Sequence, residues 1–474
     1  MVRIGRRGFM QAIAAGAAVE AACSPFGGAF AMAQETTAQP TRDDRPNIVF
    51  LFTDDQRFDT VRALGNEQIR TPNMDRLVQA GVSFSNACIM GSTVPAVCCP
   101  SRAMLNSGRT LYRAPRDLAG TLTFPELLRQ AGYETFATGK WHNEPESFAR
   151  SFSRGGKVFF GGMSNHLKVP VYDFSPDGNY PKERQYIGKK FSSELFTDEA
   201  LGFLDRYESD KPFYMYVSYT APHDPRMAPD TFADMYNPQA IHLPANFMPE
   251  HPFDNGEMRI RDEKLAPWPR TPEVVREHIA AYYAMITHLD DQMGRILDKL
   301  EETGRGQNTV IVFAGDNGLA VGQHGLLGKQ NMYDHSIRVP LVLAGPGVPV
   351  GERREGLCYL SDLFPTICDL TGLPVPDSVE GQSLVPMLGP EQHRIRASQF
   401  YAYMSVQRAV RDERCKLIEY YVNDRRTTQL FDLERDPWEV TNRVEDGEYS
   451  DDLKRLREEL ASWQGRVGDP MVGV

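Results

Sequence analysis

Cys98-Cys99-Pro100-Ser101-Arg102, inside VCCPSRAMLNSGR (Val97 to Arg109), sets a thiol and a guanidinium four positions apart. On a helix opening at Cys98 that spacing brings both to one face. A structural zinc site would want C-x2-C, and a disulfide scaffold would spread its cysteines. The phosphatase spacing, an arginine six residues after the cysteine, fails because position 104 is Met.

Acidic residues form a second pattern. Asp54-Asp55 follow the apolar run IVFLFT, and Asp316-Asn317-Gly318 follow TVIVFAG. In open α/β sheets ligands gather beyond the carboxyl ends of strands. Three carboxylates and an amide oxygen collected there would repel unless a cation neutralised them, and an all-oxygen set favours calcium or magnesium over zinc. Lys140 and His142 in ATGKWH, His223 in TAPHDP and Lys329 in LLGKQ supply basic groups. Singly, each of these residues reads equally well as a turn or solvated surface. Around a metal they would form a positive pocket for a tetrahedral oxyanion, with His and Lys able to move a proton to a leaving oxygen.

The elements that must carry these groups alternate. IVFLF, KPFYMYVSY, TVIVFAG and VPLVLAGPG read as buried strands. FPELLRQAGYETFATGKW reads as a helix, a stop at Gly132 and a strand, and Pro272 to Glu302 has helical spacing with Gly304 as its stop. That grammar predicts an α/β fold, a large, mixed, mostly parallel sheet sandwiched by helices. After residue 375 the pattern changes: AVRDERCKLIEYY and TTQLFDLERD read as antiparallel strands, and DDLKRLREELASWQGRV as a terminal amphipathic helix. The expected organisation is an export signal at 1–33, a linker at 34–45, a catalytic domain at 46–375 and a small C-terminal α+β domain at 376–474.

The 474 residues carry a formal charge of -11, which argues against a nucleic-acid partner but allows a locally positive pocket. Arg6-Arg7, an apolar stretch and Ala31-Met32-Ala33 read as a twin-arginine leader, hence a periplasmic or secreted protein; Cys23 is the position where a lipid could instead be attached. Of the seven cysteines, Cys88, Cys358, Cys368 and Cys415 lie in apolar settings and read as packing residues.

With these residues in view, the chain resembles the sulfatases of the alkaline-phosphatase superfamily, most of all bacterial carbohydrate sulfatases. The signature C-x-P-S-R followed by a helix and Gly-Arg is matched by Cys98 to Arg109. The resemblance implies that a maturation enzyme oxidises Cys98 to formylglycine, and that Cys99 fills the variable position. It implies calcium ligands at Asp54, Asp55, Asp316 and Asn317, joined by the modified Cys98. Arg102 would orient the formylglycine, and Lys140, His142, His223 and Lys329 would bind sulfate and protonate the leaving oxygen. TPNMDRLVQAGVSFSNAC resembles the family's helix ahead of the signature. The implied substrate is a sulfated saccharide, with galactose-type 4-O-sulfate as the expectation and Asn143, Glu144, His166 and His335 as candidate sugar contacts. The alternatives are a phosphonate monoester or phosphodiester hydrolase of the same superfamily, or an anion-binding protein with Cys98 unmodified.

Overall fold

The run Asn47–Thr53 forms a strand whose side chains divide between two cores: Ile48, Phe50 and Phe52 enter one, Val49 and Leu51 the other. A strand buried on both faces needs no polar alternation, which explains its continuous apolar sequence. The computed structural model of the chain describes residues 44–391 and 393–473. The leader with Arg6, Arg7 and Cys23, and the linker up to residue 43, lie outside the described residues.

Fifteen strands follow in chain order among the described residues. They are β1 (Asn47–Thr53), β2 (Gly81–Cys88), β3 (Gly91–Ser92), β4 (Glu134–Lys140), β5 (Arg154–Phe159), β6 (Pro170–Val171), β7 (Tyr186–Ile187) and β8 (Phe213–Ser218). After these come β9 (Thr309–Gly315), β10 (Leu341–Ala344), β11 (Glu352–Tyr359), β12 (Gln399–Tyr403), β13 (Gln407–Arg411), β14 (Cys415–Val422) and β15 (Arg425–Asp432). The large sheet has the order β11-β2-β10-β9-β1-β8-β4-β5, and only β10 runs antiparallel to its neighbours. Register levels the central strands: Thr53 pairs with Gly315, Phe52 with Ser218, and Ser218 with Gly139. The carboxyl ends of β1, β4, β8 and β9 therefore share one edge.

Helices cover both faces. Cys98–Ser107, Phe124–Gln130 and Leu363–Thr371 contribute to the core that holds Phe50; Pro72–Ala80, Ser192–Asp205 and Pro272–Glu302 contribute to the core that holds Leu51. The long helix starts where sequence places it, with Thr271 accepting from Val274 N and Pro272 in the first turn. Among the described residues no helix is long and apolar enough to cross a membrane.

Two expectations need correction. The run Thr71 to Cys88 is a helix only over Pro72–Ala80; Gly81 ends it and Gly81–Cys88 becomes β2. A Cβ at Gly81 would lie 2.0 Å from Leu343 O, so the close approach to β10 fixes glycine there. AVRDERCKLIEYY is two strands, β13 and β14, whose connection is held by Asp412 accepting from Arg414 N and Cys415 N. The boundary at 375 marks a change of sheet and not a break in packing. The second sheet, β15-β14-β13-β12-β3, draws β3 from the first half of the chain, and its apolar face joins the core containing Phe50. The described residues form one compact unit.

Three buried histidines bear on acid stability. His251 Nε2 lies 3.1 Å from Tyr333 Oη, and the rings of His324 and His335 stack on Tyr333 with centroids at 3.8 and 5.5 Å. Burial pushes His251 down to about 4 and His324 to about 3, and holds His335 well below its usual value. Each is neutral in the fold but protonates in the unfolded chain below about pH 6.5. Stability is thus complete above pH 6.5 and falls as pH drops toward 4, by on the order of 3 kcal/mol for His251 alone. Urea unfolding at pH 7 and pH 5 should show this loss, and His324→Asn should flatten the slope.

Candidate active site

Two aspartates leave β1, Asp316 and Asn317 leave β9, Lys140 ends β4, and His223 lies on the loop after β8. The helix Cys98–Ser107 is the fifth element to contribute. All ten of its residues are buried, and it stops at Gly108, whose φ of 65° suits a left-handed cap and whose N–H bonds Met104 O at 2.8 Å. Cys98 opens this helix beneath the carboxylates.

Arg102, one turn later, is fully buried and multiply held. Its Nε donates to Asp316 Oδ2 at 2.9 Å, and its Nη1 donates to Lys140 O at 3.0 Å and Ser218 Oγ at 2.6 Å. The guanidinium also lies 4.7 Å from the centre of the Phe52 ring. Ser101 Oγ donates to Asp316 O at 2.5 Å, so consecutive signature residues grip the same turn.

Two lysines face Cys98. Lys140 Nζ donates to Asp54 Oδ2 at 2.6 Å and lies 3.5 Å from Cys98 Sγ; Lys329 Nζ donates to Asp55 Oδ1 at 2.6 Å and lies 3.5 Å from the same sulfur. Gly139 permits the Lys140 placement. Its φ is +92° and a Cβ would sit 1.8 Å from Ser218 O, so no other residue fits there without moving β4. His223 Nε2 stands 3.5 Å from Asp55 Oδ2, while its Nδ1 is held 2.9 Å from Asp224 O and 3.2 Å from Asp224 Oδ1.

The two adjacent cysteines are now distinguished. Cys98 meets the lysines and carboxylates. Cys99 turns away, with Sγ 3.2 Å from His142 O, under the side chain of Asn143. Burial pushes Cys98 up to about 11 against the pull of Lys140 and Lys329, so the thiol stays protonated at neutral pH and is a weak nucleophile. Burial works against ionised Asp54, yet Lys140 and the other cations hold it well below the usual range. Burial, then the charge of Asp54, pushes Asp316 up to about 6. Burial and Lys140 drive His142 down to about 2, so this half-buried imidazole is neutral.

The cluster has the makings of a cation site. One ligand atom from each of Asp54, Asp55, Cys98 and His223 lies within 4.8 Å of the others. Asp54 Oδ1 and Asn317 Oδ1 are buried acceptors with no hydrogen-bond partner. An unmet buried acceptor is costly, and a divalent cation is the partner that two of them beside three carboxylates would suit. Neutralising repulsion among carboxylates is a weaker reason than the sequence suggests, because Arg102, Lys140 and Lys329 already match the three charges. A dication would instead balance a dianionic product.

Of the candidate sugar contacts, three are turned inward. His166 is 1% exposed and bonds Ser192 Oγ at 2.8 Å and His223 O at 2.9 Å, so it supports the His223 loop from behind. Asn143 donates to Cys99 O and Arg116 O and is fully buried. His335 belongs to the Tyr333 stack, with its carbonyl against Gly318. Loop position suggested exposure for these residues; packing overrode it. Glu144 is exposed. Sequence reasoning missed Asp224 and Ser218, which orient His223 and Arg102; Asp224, directly after His223, was the one with a signal.

Comparison with known proteins fits this geometry. The model of the family described as Sulfatase matches residues 46–373. The chain belongs to the sulfatase family. A second model, N-sulphoglucosamine sulphohydrolase, C-terminal, matches residues 322–466 and so covers β12 to β15 of the second sheet of this sulfatase, but not β3. The N-acetylglucosamine-6-O-sulfatase of Bacteroides thetaiotaomicron is 28% identical, over 93% of this chain and 90% of its own. A solved structure of a protein in complex with its substrate D-glucosamine-2-N,6-O-disulfate superposes with a TM-score of 0.76 at 26% identity, over 90% of this chain and 99% of the other. The phosphonate monoester hydrolase of Agrobacterium radiobacter shares the fold at 24% identity and a TM-score of 0.71, over 89% and 96% of the two chains.

Proposed function

We propose that this sulfatase hydrolyses sulfate esters of saccharides, with a 6-O-sulfated N-acetylglucosamine unit as the first substrate to test. The observation that carries the hydrolytic reading is Cys98 set between Lys140 and Lys329 below three carboxylates. The sugar rests on the named relatives. Galactose-type 4-O-sulfate is the competing substrate.

Asp54, Asp55, Asp316 and Asn317 would hold a calcium ion, or magnesium, beside the oxygen of a modified Cys98. A formylglycine at 98, as its hydrate, supplies an oxygen nucleophile and an exit by return to the aldehyde, which a thiol ester lacks. Lys140 and Lys329 bind and orient the anionic oxygens of the ester. His223, its Nδ1 turned to Asp224, presents Nε2 toward the cluster and is positioned to hand a proton to the departing sugar oxygen. Arg102 holds Asp316 and the end of β4 in place.

The first experiment is mass spectrometry of the tryptic peptide Leu77 to Arg102 from protein made in its own host. An aldehyde or its hydrate at Cys98 supports the reading, and unmodified thiols in a preparation that still releases sulfate overturn it. A panel then separates substrates: N-acetylglucosamine 6-sulfate, galactose 4-sulfate, an aryl sulfate and an aryl phosphonate. Dominant phosphonate turnover would make the chain a phosphonate hydrolase. Chelation should abolish activity, and calcium at a hundredfold over its Kd should restore it and add about 2.7 kcal/mol to the unfolding free energy. The same reading has the protein exported through the Arg6-Arg7 leader; Lys substitution of both arginines should retain it in the cytoplasm.

A further inference from the structure

A cleft of about 560 Å³ opens beyond the loop that follows Asp55, and none of the catalytic cluster's side chains lines it. Its wall includes Arg57, Phe58, Gln323, Arg338, Arg353 and Trp438. Trp438 is 38% exposed, with its ring tilted against Phe58 at 6.4 Å, and the Arg338 guanidinium lies 3.9 Å from the Phe58 ring centre. An exposed indole braced in this way offers a rigid apolar face at little entropic cost.

The wall sets three arginines, Arg57, Arg338 and Arg353, against two carboxylates, Asp59 and Glu67. Arg57 spends Nε and Nη2 on Asp59 at 2.7 and 3.0 Å, but its Nη1 is buried without a partner. Gln323, 1% exposed, keeps a buried Nε2 without a partner as well. Arg353 is exposed on β11, bonds Ser85 Oγ, and makes no ion pair among the described residues. Two unmet donors beside a guanidinium that lacks a carboxylate partner call for an oxygen-rich, anionic ligand. A flat aromatic face beside them suits the apolar side of a sugar ring.

We propose that this cleft is a second binding site of the protein, taking a segment of sulfated saccharide away from the reaction centre. The proposal rests on the reading that the enzyme works on sulfated saccharides. The catalytic cluster removes one sulfate, while the cleft holds a neighbouring or separate part of a longer chain. Small substrates gain nothing from it; long ones gain affinity through a second attachment.

The test uses the full chain and the double variant Trp438→Ala/Arg353→Ala, neither residue belonging to the catalytic machinery. The probes are a heparin-derived hexasaccharide and its chemically desulfated counterpart, titrated by calorimetry. Wild-type protein should bind the sulfated probe at least about tenfold more tightly than the double variant does, and more tightly than the desulfated probe by a similar factor. In turnover, KM for a sulfated hexasaccharide should rise in the variant while kcat/KM for a monosaccharide sulfate stays unchanged. Equal affinity of wild type and variant overturns the proposal, and so does equal binding of the desulfated probe. Absence of sulfate release from every substrate would overturn the hydrolase reading instead, and the binding comparison would still decide the cleft. Trp438→Phe guards against misfolding: it should keep binding while losing the fluorescence change that the hexasaccharide produces.

Discussion

Cys98→Ala is expected to lower kcat by roughly 10⁵- to 10⁶-fold, the scale seen when a nucleophile is removed from an otherwise intact site. The fold should survive it. Cys98 Sγ touches two ammonium groups at 3.5 Å and makes no bond that another element depends on, so the melting temperature should move by only a few degrees. Cys99→Ala is the control that gives the experiment its meaning. Its sulfur faces His142 O and the Asn143 side chain, away from the lysines, so activity should stay within about tenfold of wild type despite a small packing loss. Steady-state sulfate release, with calcium present and the modification state of each preparation measured, checks both. If Cys99→Ala were the dead variant and Cys98→Ala the active one, the assignment of the nucleophile would be reversed.

The same pair of cysteines shows where sequence was legible. Helical spacing puts Cys98 and Arg102 on one face, and the helix does open at Cys98. Local periodicity also fixed the long helix Pro272–Glu302 and the strands that deliver Asp54, Lys140 and Asp316. These are readable because each is an apolar run that ends on a charged turn. What was not readable is contact across the chain. β3 joins a sheet built from residues some three hundred positions later, a pairing no local pattern carries. Inward or outward direction was equally hidden for loop residues: His166 and Asn143 occur among polar neighbours yet are buried to hold His223 and the Cys99 carbonyl. The balance of charge in the site also depended on assembly, since Lys140 and Lys329 reach Asp54 and Asp55 from segments 86 and 274 residues away.

The second large effect concerns Arg102. Arg102→Met is expected to destabilise the protein by about 3–5 kcal/mol, because it strands Asp316 in a site with no exposure. The loss is larger than for a surface pair since neither partner can regain water. Asp316 would then lose its most direct partner while Asp54 and Asp55 remain nearby, and burial already pushes its carboxyl up to about 6. Arg102→Met/Asp316→Asn should recover a substantial part of that stability by removing the unpaired charge, as replacement of buried ion pairs by uncharged groups often does. Activity should not recover. The Asn side chain cannot supply the carboxylate, and Lys140 O and Ser218 Oγ lose the guanidinium that ties β4 and β8 to the helix of Cys98. Urea unfolding read beside sulfate release distinguishes the two consequences. Recovery of both in the double variant would mean that Arg102 serves packing alone, whereas recovery of stability without turnover assigns it the placing of Asp316 and Lys140 around Cys98.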